Sequence, residues 1–430
     1  MQTQLSQTFK ETAQGKAADA ILRSCVHCGM CNATCPTYQL LGDERDSPRG
    51  RIYLIKQVLE GHTPTQKTQS HLDRCLNCGA CESTCPSGVA YSALLDIGRE
   101  LMQKAQVRPL HMRLFRSALV KILTHQRSFA SVLTWASKVR NFMPKRWREK
   151  LPMIRPAGDW PTQTHARRVI LLEGCVQAVM GANINAACAR VLDAIEVQSI
   201  YAPQSACCGS LHAHLDQREA ALDLARQNID AWWPLLQPDA SQVLAGAEYI
   251  VMTASGCGAQ VKDYGRLLAD DQDYAAKAEE ISARCLDLAE YLPRFKTGLQ
   301  NLLKRESSTV ASTVPSADSH IRLAWHAPCT LQHGQKIKGN VEQLLSGLGI
   351  DLQTCADAQS CCGSAGTYSL FQSEIADQLR DQKLAALDAC NADVIVSANL
   401  ACQAHLQSGT HLPVRHWIEI LDQVLTQKRA

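Results

Sequence analysis

Eight cysteines near the amino terminus stand at spacings that suit metal chemistry. Cys25, Cys28, Cys31 and Cys35 are followed by Pro36, and Cys75, Cys78, Cys81 and Cys85 by Pro86. Both runs read C-x2-C-x2-C-x3-C-P. Three thiolates three residues apart can converge on the irons of a cubane cluster as the backbone wraps around it. The fourth cysteine starts the next segment, where its proline favours a stop or turn. Gly29 and Gly79 sit inside the loops, where small residues let backbone amides approach the sulfides. A pair of zinc knuckles is the competing explanation, but zinc usually takes two CxxC pairs separated by a longer loop.

In two-cluster ferredoxins the fourth cysteine of each such run ligates the other cluster. Cys25, Cys28, Cys31 and Cys85 are therefore assigned to one 4Fe–4S cluster, and Cys75, Cys78, Cys81 and Cys35 to a second. Between the runs, "RIYLIKQVLEG" has helical apolar spacing and a helix stop at Gly61. The insertion is longer than a small ferredoxin has and resembles the cluster domains of respiratory dehydrogenase subunits.

The later cysteines repeat. Cys175 precedes the Cys207-Cys208-Gly209 motif, and Cys329 precedes Cys361-Cys362-Gly363, at the same 154-residue offset. Each half then has an apolar run ending in a cysteine, Cys257 or Cys402, so the sequence predicts a duplicated domain. Within each half, short apolar runs ("RVILLEGC", "IRLAWHAPC") alternate with helical patterns ("NINAACARVLDAI", "REAALDLARQNIDAWW"). That order predicts an α/β unit with a mostly parallel sheet. Sites in such sheets form at the C-terminal ends of the strands. This groups Cys175, Cys207, Cys208 and Cys257 as one metal or redox site, and Cys329, Cys361, Cys362 and Cys402 as another. Adjacent cysteines seldom bridge each other but can both reach one polynuclear centre. The bland explanation is buried structural thiols; two motifs in register argue against it. His405, three residues after Cys402, is a candidate extra ligand or a core histidine, where the first half has Gln260. Cys188, Cys285, Cys355 and Cys390 have no counterparts and are expected to be ordinary buried residues.

Composition narrows the class. The chain has 430 residues, twenty of them cysteine, with a formal net charge of +3. That charge is too small to argue for nucleic acid. The start lacks the apolar core of a signal peptide, and no apolar run approaches the length of a membrane span. Thiols in a cytosolic chain point to metal or redox use. No G-x-G-x-x-G and no P-loop is found, so nothing marks a flavin or nicotinamide site. Hydride transfer needs a two-electron cofactor, which a partner would have to hold. The chain is expected to conduct electrons, with no catalytic residue and no substrate oxidation of its own. Residues 104 to 155 carry many Lys and Arg and a single acid, Glu149, interspersed with apolar residues at helical spacing. This predicts an amphipathic segment that is a membrane-docking surface, a partner-docking surface or a solvated linker.

The expected architecture is a multidomain chain mixing helix and sheet. A helical two-cluster ferredoxin-type module (1–102) and a basic helical connector (103–166) come first. A cysteine-rich α/β domain (167–303), a Ser/Thr-rich linker (304–320) and a second cysteine-rich domain (321–430) follow.

The CCG pairs resemble those in the cysteine-rich domains of heterodisulfide reductase subunits and of several quinone-linked dehydrogenases. That family usually closes each domain with CxxC, and here the last cysteine is missing in both halves. The ferredoxin pair followed by two such domains is similar to the iron–sulfur subunits of glycolate oxidase (glycolate dehydrogenase). The similarity extends to "CPTYQLLGDERDSPRGRIYLIKQVLEG", "NIDAWWP", "TASGCGA", "CCGSAGTYSL" and "PVRHWIEI". It implies two flavin-type partner subunits holding FAD, glycolate as donor, glyoxylate as product, and a quinone or other non-nicotinamide acceptor. It leaves a further iron–sulfur cluster or zinc open for each CCG site. The expected location is cytoplasmic, either free or peripheral on the inner membrane's cytoplasmic face. Lactate or glycerol-3-phosphate oxidation, and a heterodisulfide-reductase-like subunit, are the alternatives.

Overall fold

The computed structural model describes residues 1–144, 148, 151, 154–237, 246–309 and 321–427. Helices Ala13–Ser24, Pro48–Leu59, Gln66–Asp73 and Tyr91–Lys104 surround one apolar core that includes Leu22, Ile55, Leu72, Leu94 and Leu95. The Ser47 hydroxyl accepts a hydrogen bond from the Gly50 amide and caps the second of these helices. Pro48 takes the first helical position, where a missing N–H costs nothing. The helix read from "RIYLIKQVLEG" therefore begins three residues earlier, and Gly61 (φ 101°) turns the chain just beyond its end. Pro36 likewise opens a helix, Pro36–Leu41, rather than stopping the chain.

The basic connector forms two helices, Leu110–Thr124 and Gln126–Lys138. They are broken at His125, whose Nδ1 accepts a hydrogen bond from the Ser128 amide. Part of its charge turns inward. Arg116 is buried against Asp216, and Arg108 bridges Asp73 and Asp216. Lys145, Arg146 and Lys150 lie outside the described residues.

Two four-stranded parallel sheets follow among the described residues. Strands β1 (Arg167–Leu171), β2 (Val197–Ile200), β3 (Tyr249–Met252) and β4 (Cys285–Asp287) are ordered β2-β1-β3-β4. Strands β5 (Leu323–His326), β6 (Leu352–Thr354), β7 (Val394–Ser397) and β8 (Val414–His416) repeat that order as β6-β5-β7-β8. The outer strands β2, β4, β6 and β8 were not predicted; β2 and β6 are partly exposed and lack a continuous apolar run. The central strands β1, β3, β5 and β7 end in fully buried residues, as their apolar runs required.

The two halves share one core, in which Val169, Leu192 and Leu288 meet Trp325, Trp417 and Leu421. Helix Lys296–Thr309 runs into the stretch read as a linker from 304, and residues 310–320 lie outside the described residues.

Candidate iron–sulfur sites

Each amino-terminal loop wraps through left-handed backbone at matched positions. His27 and Gly29 have φ of 56° and 81°, and Asn77 and Gly79 have 52° and 74°. Two residues of positive φ curl each C-x2-C-x2-C segment back on itself. One cavity is lined by Cys25, Cys28, Cys31 and Cys85, and a second by Cys35, Cys75 and Cys78, with Cys81 on the wall between them. The fourth cysteine of each run thus faces the first three of the other. Burial pushes the Cys31 thiol up to about 11. Burial, with Cys329 nearby, also raises Cys78. Buried thiols without counter-charge favour a cation that takes them as thiolates. The sulfur-only donor sets fit 4Fe–4S clusters.

A charged brace stands behind the second cavity. Arg51 and Asp46 are both fully buried and paired, Nη2 to Oδ1, at 3.4 Å. Asp46 also meets His71 at 3.0 Å and Arg74 at 2.9 Å. Arg51 donates to the His71 carbonyl and to the Thr37 hydroxyl, which lies 3.3 Å from Cys35 Sγ. The Tyr91 hydroxyl donates to Cys75 Sγ at 3.4 Å. Donors to sulfur of this kind tune a cluster's reduction potential. Sequence reasoning used "DERDSPRGR" only for resemblance; its charges amid apolar helix were the available signal.

In the carboxy-terminal halves, every predicted cysteine sits just past a strand end. Cys175, Cys207–Cys208 and Cys257 follow β1, β2 and β3, and Cys329, Cys361–Cys362 and Cys402 follow β5, β6 and β7. The thiols form a row in each case. Cys175 lies 3.2 Å from Cys207, and Cys208 is within hydrogen-bonding reach of Cys207 and Cys257. Cys329 lies 4.0 Å from Cys361, and Cys362 is within reach of Cys361 and Cys402. The bond to its neighbour and burial together push both Cys175 and Cys329 well above the usual thiol range. Four crowded sulfurs, three of each row on buried residues, again fit a metal centre. Cys188, Cys285 and Cys355 are buried and Cys390 is half-buried; Cys285 shares an apolar cluster with the first row, and Cys355 one with the second.

His405 is turned away from the role considered for it. Its Nε2 lies 3.1 Å from the Ala376 carbonyl, on the helix after the second CCG motif. The histidine grouped with the thiols is His326, at the end of β5. Burial and the Lys383 ammonium hold its imidazole neutral.

The second half adjoins the second ferredoxin-type site. Cys78, Leu76, Cys329, Cys361 and Tyr368 share one apolar cluster. The Tyr368 hydroxyl donates to the Arg74 carbonyl at 3.1 Å, and His333 Nδ1 meets Ser83 Oγ at 3.0 Å. A Cβ on Gly79 would stand 3.3 Å from that of His333, so the loop needs glycine for its backbone and for this approach.

A helical module with two interleaved thiol sites, joined to two parallel-sheet domains with thiol rows, defines an iron–sulfur protein carrying a duplicated cysteine-rich domain. Comparison with known families agrees. Residues 21–89 match the 4Fe-4S dicluster domain, and residues 169–262 and 323–407 each match the Cysteine-rich domain. Over 429 residues, all of both chains, the sequence is 48% identical to the glycolate oxidase iron-sulfur subunit of Escherichia coli (strain K12). It is 29% identical to the probable glycolate oxidase iron-sulfur subunit of Bacillus subtilis (strain 168), over 94% of this chain and 92% of the other. A more distant relative, lactate utilization protein A of Shouchella clausii (strain KSM-K16), is 25% identical over 50% of this chain and 82% of its own. The chain belongs to the family of glycolate oxidase iron–sulfur subunits.

Proposed function

We propose that the chain is the electron-transfer subunit of a complex that oxidises glycolate to glyoxylate. A 4Fe–4S cluster, when bound, accepts and releases one electron at a time. Cys25, Cys28, Cys31 and Cys85 would hold one cluster, and Cys75, Cys78, Cys81 and Cys35 the other. Each cysteine-rich row would hold a further metal centre, of iron and sulfide in our reading, with zinc as the competitor. Substrate oxidation belongs to flavin-bearing partner subunits, and the acceptor is a quinone or another non-nicotinamide carrier. Full-length similarity to a glycolate oxidase subunit supports the substrate.

The observation that carries the electron route is the shared burial of Cys78 with Cys329 and Cys361. It makes the ferredoxin-type pair continuous with the second cysteine-rich site. The opposite end is open: Cys28 is exposed, and Val26 and Met30 beside it are 68% and 52% exposed. We place the flavin partner's docking surface there. The test is iron, sulfide and zinc analysis of the anaerobically purified chain, with EPR of the reduced sample. Roughly twelve to sixteen irons, or three to four cubane equivalents, are expected. Zinc with no iron would end the electron-transfer proposal.

We further propose peripheral membrane contact through the connector. Leu110, Leu114, Trp135 and Phe142 are exposed on it among basic residues. No helix among the described residues is long and apolar enough to cross a membrane, whereas an exposed apolar face edged with Lys and Arg suits an anionic surface. Trp135→Asp with Phe142→Asp should reduce sedimentation of the chain with anionic phospholipid vesicles. Undiminished sedimentation would count against the contact.

A further inference from the structure

The two thiol rows are superimposable in order, but not in their surroundings. His326 ends β5 three residues before Cys329, and the same 154-residue offset puts Leu172 before Cys175. Leu172 packs in the apolar core with Cys175, Cys207 and Cys208. His326 is 1% exposed, and neither ring nitrogen has a hydrogen-bond partner. One of them lies with Cys362 Sγ and Cys402 Sγ in a group whose donor atoms are all within 4.8 Å of one another.

A buried polar atom left unpaired is costly, and nearly all such atoms are satisfied in folded proteins. An imidazole orphaned at both nitrogens, pressed against two thiols, is therefore an unusual residue to keep. A cation between these three donors would satisfy the ring and neutralise the sulfurs together. Imidazole and thiolate are both ligands of iron and of zinc.

We infer, on the reading of the second cysteine-rich site as a metal centre, that His326 is a direct ligand of its metal. The second site is then a mixed imidazole–thiolate centre, and the first is all-thiolate. Imidazole is a neutral donor, and histidine ligation raises the reduction potential of an iron–sulfur centre. The second site is accordingly the more easily reduced of the two, and it is the one beside Cys78.

The test uses the full-length chain, purified anaerobically from cells supplied with 15N-histidine, as wild type, His326→Leu and His326→Cys. Elemental analysis identifies the metal. Pulsed EPR then seeks histidine nitrogen coupling at the iron signal that Cys361→Ser removes; if the metal is zinc, X-ray absorption at its edge seeks a nitrogen donor. The wild type should show the histidine nitrogen. His326→Leu should lose both it and metal from the second site, and His326→Cys should keep the metal without the nitrogen. A second site with no metal or with sulfur donors alone, or His326→Leu with unchanged metal and spectrum, would overturn the assignment. If both variants fail to fold, the wild-type nitrogen signal still decides. Intact ferredoxin-type signals without histidine coupling sink only this inference, whereas a chain with no iron sinks the proposed function.

Discussion

In the first cysteine-rich half, Cys175, Cys207 and Cys208 sit in the apolar core of their own sheet. That half meets the connector and the amino-terminal module through charges: Asp216 with Arg108 and Arg116 of the connector, and Arg266 with Asp96 of the module at 3.3 Å. In the second half, Cys329 and Cys361 share their cluster with Leu76 and Cys78 of that module. The strand order and the thiol row are the same on both sides. The lesson is that the repeat preserves the scaffold that delivers sulfur to strand ends, while the surroundings diverge in residues outside the cysteine motif. His326 against Leu172, and an apolar contact against an ionic one, are where the halves part.

That contrast can be broken by paired substitutions. Cys361→Ser should cut glycolate-driven reduction of the acceptor by the assembled complex roughly 100-fold, equivalent to about 2.7 kcal/mol in the barrier. Cys207→Ser should leave the rate within about tenfold of wild type. Equal losses, or the reverse order, would remove the second half's privileged place in the route.

An effect on stability rather than rate sharpens the contrast from the ferredoxin side. Arg51→Met leaves Asp46 buried with its inner partner gone, and stranding a buried charge costs about 3–5 kcal/mol. Arg74 and His71 still contact that carboxylate, so the lower end of the range is expected. Denaturant unfolding of the holo chain measures it. A midpoint unmoved by Arg51→Met would mean that the brace behind the second cavity does not stabilise the fold.

The motif cysteines were legible because their information is local or repeated. Spacing gave the two runs, and the 154-residue offset gave both thiol rows, so the strand-end prediction for Cys175, Cys257, Cys329 and Cys402 needed no tertiary knowledge. What was illegible arises between distant segments. Nothing near Cys78 in sequence points to Cys329, and nothing near Arg51 announces that its guanidinium turns inward to Asp46. His405 stood between an extra ligand and a core histidine, and only the fold shows its Nε2 lying 3.1 Å from the Ala376 carbonyl on another helix. His326 was missed because a histidine at the end of a buried strand reads as core until its missing partners are seen. The connector was read as one basic amphipathic stretch, and only the fold shows that Arg108 and Arg116 serve internal ion pairs.

The central claim is that the second ferredoxin-type site and the second cysteine-rich site are neighbours in one electron path. The most direct measurement is EPR of the fully reduced chain, comparing wild type with Cys78→Ser, Cys361→Ser and Cys207→Ser. Beyond the coupling of the two ferredoxin-type clusters to each other, the account predicts a further spin–spin interaction with a third centre, which vanishes in Cys78→Ser and in Cys361→Ser and survives in Cys207→Ser. A spectrum unchanged by Cys361→Ser, or the absence of the further interaction from a wild-type chain with both sites loaded with iron, would contradict it.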